Sequence, residues 1–223
     1  PMMTLLGKLE ESNFVERDGE YFRWVHDKIQ EAALEMEEAQ NPSFYFEVGI
    51  TLLKGLSDDK LDVLLFAVTN LINKSNVHGR LEFAELNLRA AEKARHLSAF
   101  YNGASYAARA IQLLPNEKWK KHRDVALNAY IIGAEMEVAT GNVDTAHEYC
   151  DVILKRDDYT ALEKFRLYVV KLKILCFVQV KFREAVDFSL EVLKELGCKL
   201  VQNPVLLPIH AIRSLQKTIR LAK

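Results

Sequence analysis

The side chains best suited to nucleophilic, metal or proton chemistry here are six histidines and three cysteines, and their spacing limits what they can do. A helical zinc site wants histidines four apart with a glutamate beside the first. His78, His96, His122, His147 and His210 show neither that pairing nor HExxH. Cys150, Cys176 and Cys198 form no CxxC. His147 stands three residues before Cys150, which spreads the two across two faces of a helix, so Cys150 reads as a small core residue. Cys176, inside Ile174-Leu175-Cys176-Phe177-Val178, reads the same way. There is no GxxxxGK[ST] loop and no GxGxxG. Glu35, Glu37 and Glu38 read as a solvated helix face. No nucleophile, base and orienting group stand at matched spacing. The expectation is therefore no catalytic residue, no metal site and no cofactor. The adjacent His26 and Asp27 are read locally as a helix start, with Asp27 as its cap and His26 as a packing or hydrogen-bonding side chain.

Composition narrows the class. Hydrophobic residues make up 49% of the 223, enough for a substantial interior. Thirty Lys and Arg stand against thirty-one Asp and Glu, so no net charge draws the chain to nucleic acid or an anionic membrane. Three dispersed cysteines fit a reducing compartment, and a cytoplasmic location is expected. No uninterrupted apolar run approaches the length needed to cross a bilayer. The chain opens at Pro1 inside what reads as an element, so more chain is expected before it.

Proline placement marks the elements. None lies between Pro42 and Pro115, or between Pro115 and Pro204; helix interiors exclude it. Asn41-Pro42 and Asn203-Pro204 read as helix starts, Asn at the N-cap and Pro at the first helical position. Helices are expected over 43–54, 59–74, 80–96, 99–114, 119–140, 143–156, 159–179, 182–196 and 204–221. In the third, Leu81, Ala84, Leu88 and Ala91 share one face. Short connections imply antiparallel neighbours.

The start differs. A helix over 2–12 is followed by Phe14 to Trp24, which alternates about Asp18-Gly19 and predicts a hairpin with Arg17 facing Glu20 and Val15 facing Phe22. A second helix begins near His26, with Ile29, Ala32, Ala33 and Met36 as its apolar stripe. Helix, hairpin, helix matches the last part of a winged-helix domain.

An internal repeat follows. Tyr101, Ala104, Ala108 and Ile111 match Val143, Ala146, Cys150 and Ile153, and then Phe182, Ala185, Ser189 and Val192. Each set reads apolar, small, small, β-branched. Small residues four apart let a neighbouring helix approach, and the first and last positions fill the flanks. Such pairs must stack to bury their faces. With Gly141-Asn142 as the turn and Ala146 after it, the pattern resembles the tetratricopeptide repeat, in divergent form. Tyr130 and Ala134 fit its first helix, Val180 stands where Gly141 does, and the spacing near 40 exceeds the standard repeat of about 34. The expected fold class is all-α: an antiparallel helix-pair, tetratricopeptide-like solenoid with one short N-terminal β-hairpin from a partial winged-helix domain.

Phe22-Arg23-Trp24-Val25-His26-Asp27-Lys28-Ile29-Gln30-Glu31-Ala32-Ala33 resembles the Phe-x-x-x-His-Asp-x-Ile-x-x-Ala-Ala stretch after the ATPase core of large signal-transduction (STAND) ATPases. Residues 80–95 and 184–197 are similar to helical repeats of that family. The resemblance implies that residues 1–40 end a winged-helix domain. It implies that 41–223 are tetratricopeptide-like repeats with a basic C-terminal helix. An upstream ATPase and fused kinase or cyclase modules belong to the implied parent. His26 would then sense the parent's nucleotide phosphates.

Two functions are carried forward. One is a non-catalytic protein-interaction and regulatory segment of a signalling ATPase or kinase. Its partner is a protein or peptide, including the parent's own ATPase and output domains, with no membrane contact. The other is a transcription-regulator fragment touching DNA through the winged helix and a basic tail of Lys199, Arg213, Lys217, Arg220 and Lys223. The balanced charge of the hairpin makes nucleic acid the poorer partner. The tail's apolar side, Leu207, Ala211, Leu215 and Ile219, suits a capping helix.

Overall fold

A computed structural model describes residues 2–36, 41–75, 77–198 and 212. Glu37, Glu38, the Asn203-Pro204 start, the basic tail and, apart from Ile212, the helix expected over 204–221 lie outside them. The described chain is all-helical apart from one short N-terminal hairpin. In order the elements are α1 (Met2–Glu11), β1 (Val15–Asp18), β2 (Tyr21–Trp24), α2 (Asp27–Glu35), α3 (Pro42–Gly55), α4 (Asp58–Asn73), α5 (Leu81–His96), α6 (Phe100–Leu113), α7 (Lys118–Lys121), α8 (Arg123–Thr140), α9 (Val143–Leu154), α10 (Phe165–Lys173) and α11 (Phe182–Glu195). Two compact units result: residues 1–90 with 112–115, and residues 91–111 with 116–223.

In the first unit the hairpin forms with a shifted register. Val15 pairs with Trp24, Glu16 with Arg23, Arg17 with Phe22 and Asp18 with Tyr21. The two turn residues are thus Gly19 and Glu20, not Asp18 and Gly19. Gly19 takes the left-handed φ of +64° at the first turn position, the place a glycine occupies in a Gly-X hairpin turn. The shift pairs Glu16 with Arg23 in a salt bridge and lays Arg17 over the Phe22 ring at 5.8 Å. Of the α2 stripe, Ile29 and Ala33 are half-buried while Ala32 and Met36 are exposed. Asn41 caps α3 as expected, its Oδ1 accepting from the Ser43 N–H at 3.0 Å. Leu65, Val68 and Ile72 of α4 are buried, with Phe83 and Ala84 of α5. Phe46 meets Phe83 edge-on at 5.7 Å. The buried Asn87 is satisfied: it exchanges two amide hydrogen bonds with Asn73, at 2.8 and 2.9 Å, and donates to the Phe83 carbonyl.

In the second unit α8, α9 and α10 share one core. Leu127, Tyr130, Ile131 and Ala134 come from α8; Ala146, Cys150 and Ile153 from α9; Leu167 and Val170 from α10, with Ile174 just beyond it. Of the positions aligned in the sequence, Ala146, Cys150 and Ile153 belong to this core. Ala104, Ala146 and Ala185 are all buried, as are Ile153 and Val192. The first position behaves otherwise: Tyr101 and Phe182 are 76% and 60% exposed, so they do not fill the flank expected of them. At Gly133 of α8 a Cβ would lie 2.9 Å from the Tyr149 ring, so only glycine lets α9 come this close.

The turns repeat as well. Ser98, Gly141 and Val180 take φ of +57°, +87° and +55°, and each stands two residues before the next helix begins. The Ala99 N–H donates to the Ala94 carbonyl and Asn142 to Glu137, both at 2.8 Å. That six-to-one bond closes a Schellman turn. At the third turn Lys181 reaches one residue farther back, to Leu175, because Ile174–Val178 winds as a π-helix.

Two helices are shorter than expected. The run over 119–140 breaks at His122 (φ −132°, ψ 40°), leaving α7 as one turn. There the Tyr159 hydroxyl donates to the Arg123 carbonyl at 2.9 Å. The helix expected from 159 starts only at Phe165. Thr160 and Glu163 form a reciprocal capping pair before it, the Thr160 N–H donating to Glu163 at 2.7 Å and the Glu163 N–H to Thr160 at 3.3 Å. Lys164, buried, donates to the last carbonyl of α9, Leu154, at 3.1 Å.

Candidate functional site

His26 stands where β2 hands over to α2, with extended backbone (φ −147°, ψ 139°). Its Nδ1 accepts from the Lys28 N–H at 3.1 Å. His26 itself is therefore the N-cap, and Asp27 is the first helical residue, where a negative charge complements the helix dipole. The two exchange the local roles read from the sequence. Accepting through Nδ1 requires the proton on Nε2, so while the cap is made the imidazole offers one N–H outward. The ring is exposed.

Cys150 is buried, and burial pushes its thiol up to about 12, so it holds its proton and packs. His147 contacts the Gln179 amide nitrogen at 3.3 Å. Among the described residues no group of three or more His, Cys, Asp or Glu could hold a metal ion.

The structure gathers a polar cluster that the spacing did not foretell. A hollow of about 490 Å³ is lined by Asn116, Glu117, Trp119, Lys120, Arg156 and Asp158. Trp119 stacks on Tyr130 at 5.6 Å, and Arg156 lies over the Trp119 ring at 4.3 Å. Arg156 is held by a fork of two bonds to Asp158, at 2.9 and 2.8 Å. That pairing lowers the Asp158 carboxyl below its usual range. Arg123 lies over Tyr159 at 4.2 Å, pairs with Glu163 at 2.8 Å and donates to the Asp158 carbonyl. Arg123, followed by the Thr160 hydroxyl and amide, draws the Glu163 carboxyl down to about 2. Lys118 sits 5.3 Å from the Trp119 ring, and burial lowers its affinity for a proton. The signal was present as Lys118-Trp119-Lys120-Lys121-His122-Arg123, cations around one aromatic, but the Arg156 and Asp158 that complete the cluster lie far along the chain. Chemically the cluster offers cations and carboxylates of both signs beside an aromatic wall, which suits binding a mixed-charge surface.

No protein-family model matches the chain, and no solved structure matches it. A curated protein, hybrid signal transduction histidine kinase G of Dictyostelium discoideum, is 24% identical over a 218-residue alignment that takes in 82% of this chain. The chain spans 6% of that protein's length, and it is similar to that small portion of a signalling kinase.

Proposed function

We propose that this chain is a non-catalytic protein-interaction and regulatory segment of a multidomain signalling ATPase or kinase. The observation that carries this reading is the likeness of most of the chain to a 6% portion of a signal transduction histidine kinase. The recurring left-handed turns at Ser98, Gly141 and Val180 support stacked, tetratricopeptide-like helix pairs. Such pairs present continuous surfaces to a protein or peptide. In this reading the Trp119 hollow meets the partner, the parent's own ATPase and output domains are candidates for it, and the protein works in the cytoplasm. No helix among the described residues is long and apolar enough to cross a membrane.

Residues 1–40 are read as the end of a winged-helix domain and 41–223 as the repeats. His26 then senses nucleotide phosphate in the parent through the Nε2–H that its cap leaves outward. Its role is to bias one arrangement of the parent over another.

The test is output. The purified chain is assayed for ATP hydrolysis, and Ala146→Asp is placed in the longer polypeptide to disrupt the second unit while kinase output is measured. A silent chain and altered output are expected. Hydrolysis by the chain, or unchanged output from a polypeptide whose second unit is shown to be unfolded, overturns the reading.

A further inference from the structure

α3 has two faces. On one, Gly49 is buried against Ile72 of α4, and the Phe46 ring meets Phe83 of α5. The other carries a hollow of about 530 Å³, lined by Phe44, Glu47, Val48, Thr51, Leu52 and Gly55, with Leu56 at its end. Phe44 is 46% exposed, and Val48 and Leu52 are half-buried. The Thr51 hydroxyl donates to the Glu47 carbonyl at 2.8 Å, so it is satisfied within its own helix and can meet an apolar surface at little cost. At Gly55 nothing lies within 4 Å of the place a Cβ would take. The stripe is therefore bulky at its Phe44 end and empty at its Gly55 end.

The spacing is that of a heptad seam. Phe44, Val48, Thr51 and Gly55 stand four, three and four apart, the rhythm of positions that face a second helix. Glu47 and Lys54 lie seven apart, so both fall on the same flank of that seam. Both are exposed, and neither is ion-paired to another described residue.

Two such helices fit one another when laid antiparallel about a two-fold axis. Phe44 of each fills the gap at Gly55 of the other, and Val48 of each meets Thr51 of the other. Both pairs centre on one point, between Gly49 and Ile50. The axis brings the same flank of each helix together, so Glu47 of each copy faces Lys54 of the other. A contact of this kind is self-complementary and closes at two copies. A parallel pair would instead set Phe44 against Phe44 and gap against gap, with Glu47 and Lys54 unmatched.

We propose that α3 is a self-association surface, on which two copies of this chain pair antiparallel through Phe44, Val48, Thr51 and Gly55 between two Glu47–Lys54 ion pairs. Three helical turns bury less than the about 1,600 Å² of a standard interface, so the dimer is weak and depends on concentration. The pairing stands apart from the regulatory role.

The experiment is sedimentation equilibrium of the full chain at low salt, carried up to about 1 mM. The parent is compared with Glu47→Lys, Lys54→Glu, the double exchange, and an equal mixture of the two single variants. The parent is expected to form a dimer and nothing larger. Each single change replaces two attractive pairs by two like-charge pairs and should weaken the dimer about tenfold. The double exchange, and equally the mixture, restores opposite charges at both places and should recover the parent's affinity. Both positions are exposed, so each variant should melt with the parent; one that does not is replaced by Glu47→Gln or Lys54→Gln, which should weaken the dimer about threefold. A chain monomeric throughout, a dimer indifferent to the single changes, or a mixture that associates no better than its components would overturn the proposal.

Discussion

Exchanging the residues at the second and third left-handed turns isolates the backbone cost of a side chain. Gly141 and Val180 each stand two residues before a helix, at φ +87° and +55°. A β-branched residue in the left-handed region costs about 1–2 kcal/mol. Glycine costs about 0.5–1 kcal/mol in chain entropy on folding. A Cβ at Gly141 would meet nothing within 4 Å, so no clash complicates the change. Val180 is 63% exposed, so little burial is lost with it. Val180→Gly should therefore stabilise the chain by about 0.5–1 kcal/mol, and Gly141→Val should destabilise it by a similar amount. For a chain of this size each corresponds to a Tm change of about 2–4 °C per kcal/mol. Paired urea and thermal melts measure both signs. A Val180→Gly variant that is less stable than the parent, or a Gly141→Val variant that is unchanged, would refute this left-handed cost of a side chain.

Other outcomes follow from the packing and the charges. Ala146→Leu should overpack the buried contact around α9 and cost about 1–3 kcal/mol in a denaturant melt. Glu163 has its carboxyl drawn from the usual 4.5 down to about 2. Its stabilising effect is thus fully present above pH 4.5 and lost as pH falls toward 2, and Glu163→Gln should flatten the Tm profile across that window. Under native conditions a thiol reagent should label the exposed Cys198 first and the half-buried Cys176 more slowly, and reach Cys150 only on unfolding. His26→Ala should remove the α2 cap, costing about 1 kcal/mol locally, and speed exchange of the Lys28 amide, while His26→Asn keeps it slow.

Most helices were legible because proline spacing, the Asn41-Pro42 start and the 3.6-residue pattern act locally. Gly141 and Val180, aligned on sequence, both take a left-handed φ. What failed depends on contacts distant in sequence or on a choice between near-equal local solutions. Asp18-Gly19 and Gly19-Glu20 are both acceptable turn pairs, and the glycine's place in the turn decided between them. Nothing around His122 marks a break; Tyr159, reaching back to the Arg123 carbonyl, accompanies it. The π-turn after Lys173 has no signature in its apolar run. At His26 the imidazole nitrogen did what an Asp or Ser oxygen does at most helix starts, so the acid beside it drew the cap assignment. The Trp119 hollow joins residues 116–120 to Arg156 and Asp158, a pairing that no local pattern announces.

The most direct test of the account is titration calorimetry of the full chain against the adjoining upstream and downstream pieces of its own polypeptide, with ATP turnover followed in the same samples. The account predicts saturable association with at least one piece, weakened by Lys120→Glu at the Trp119 hollow, and no turnover by the chain alone. ATP hydrolysis by the chain with no association to either piece would contradict it.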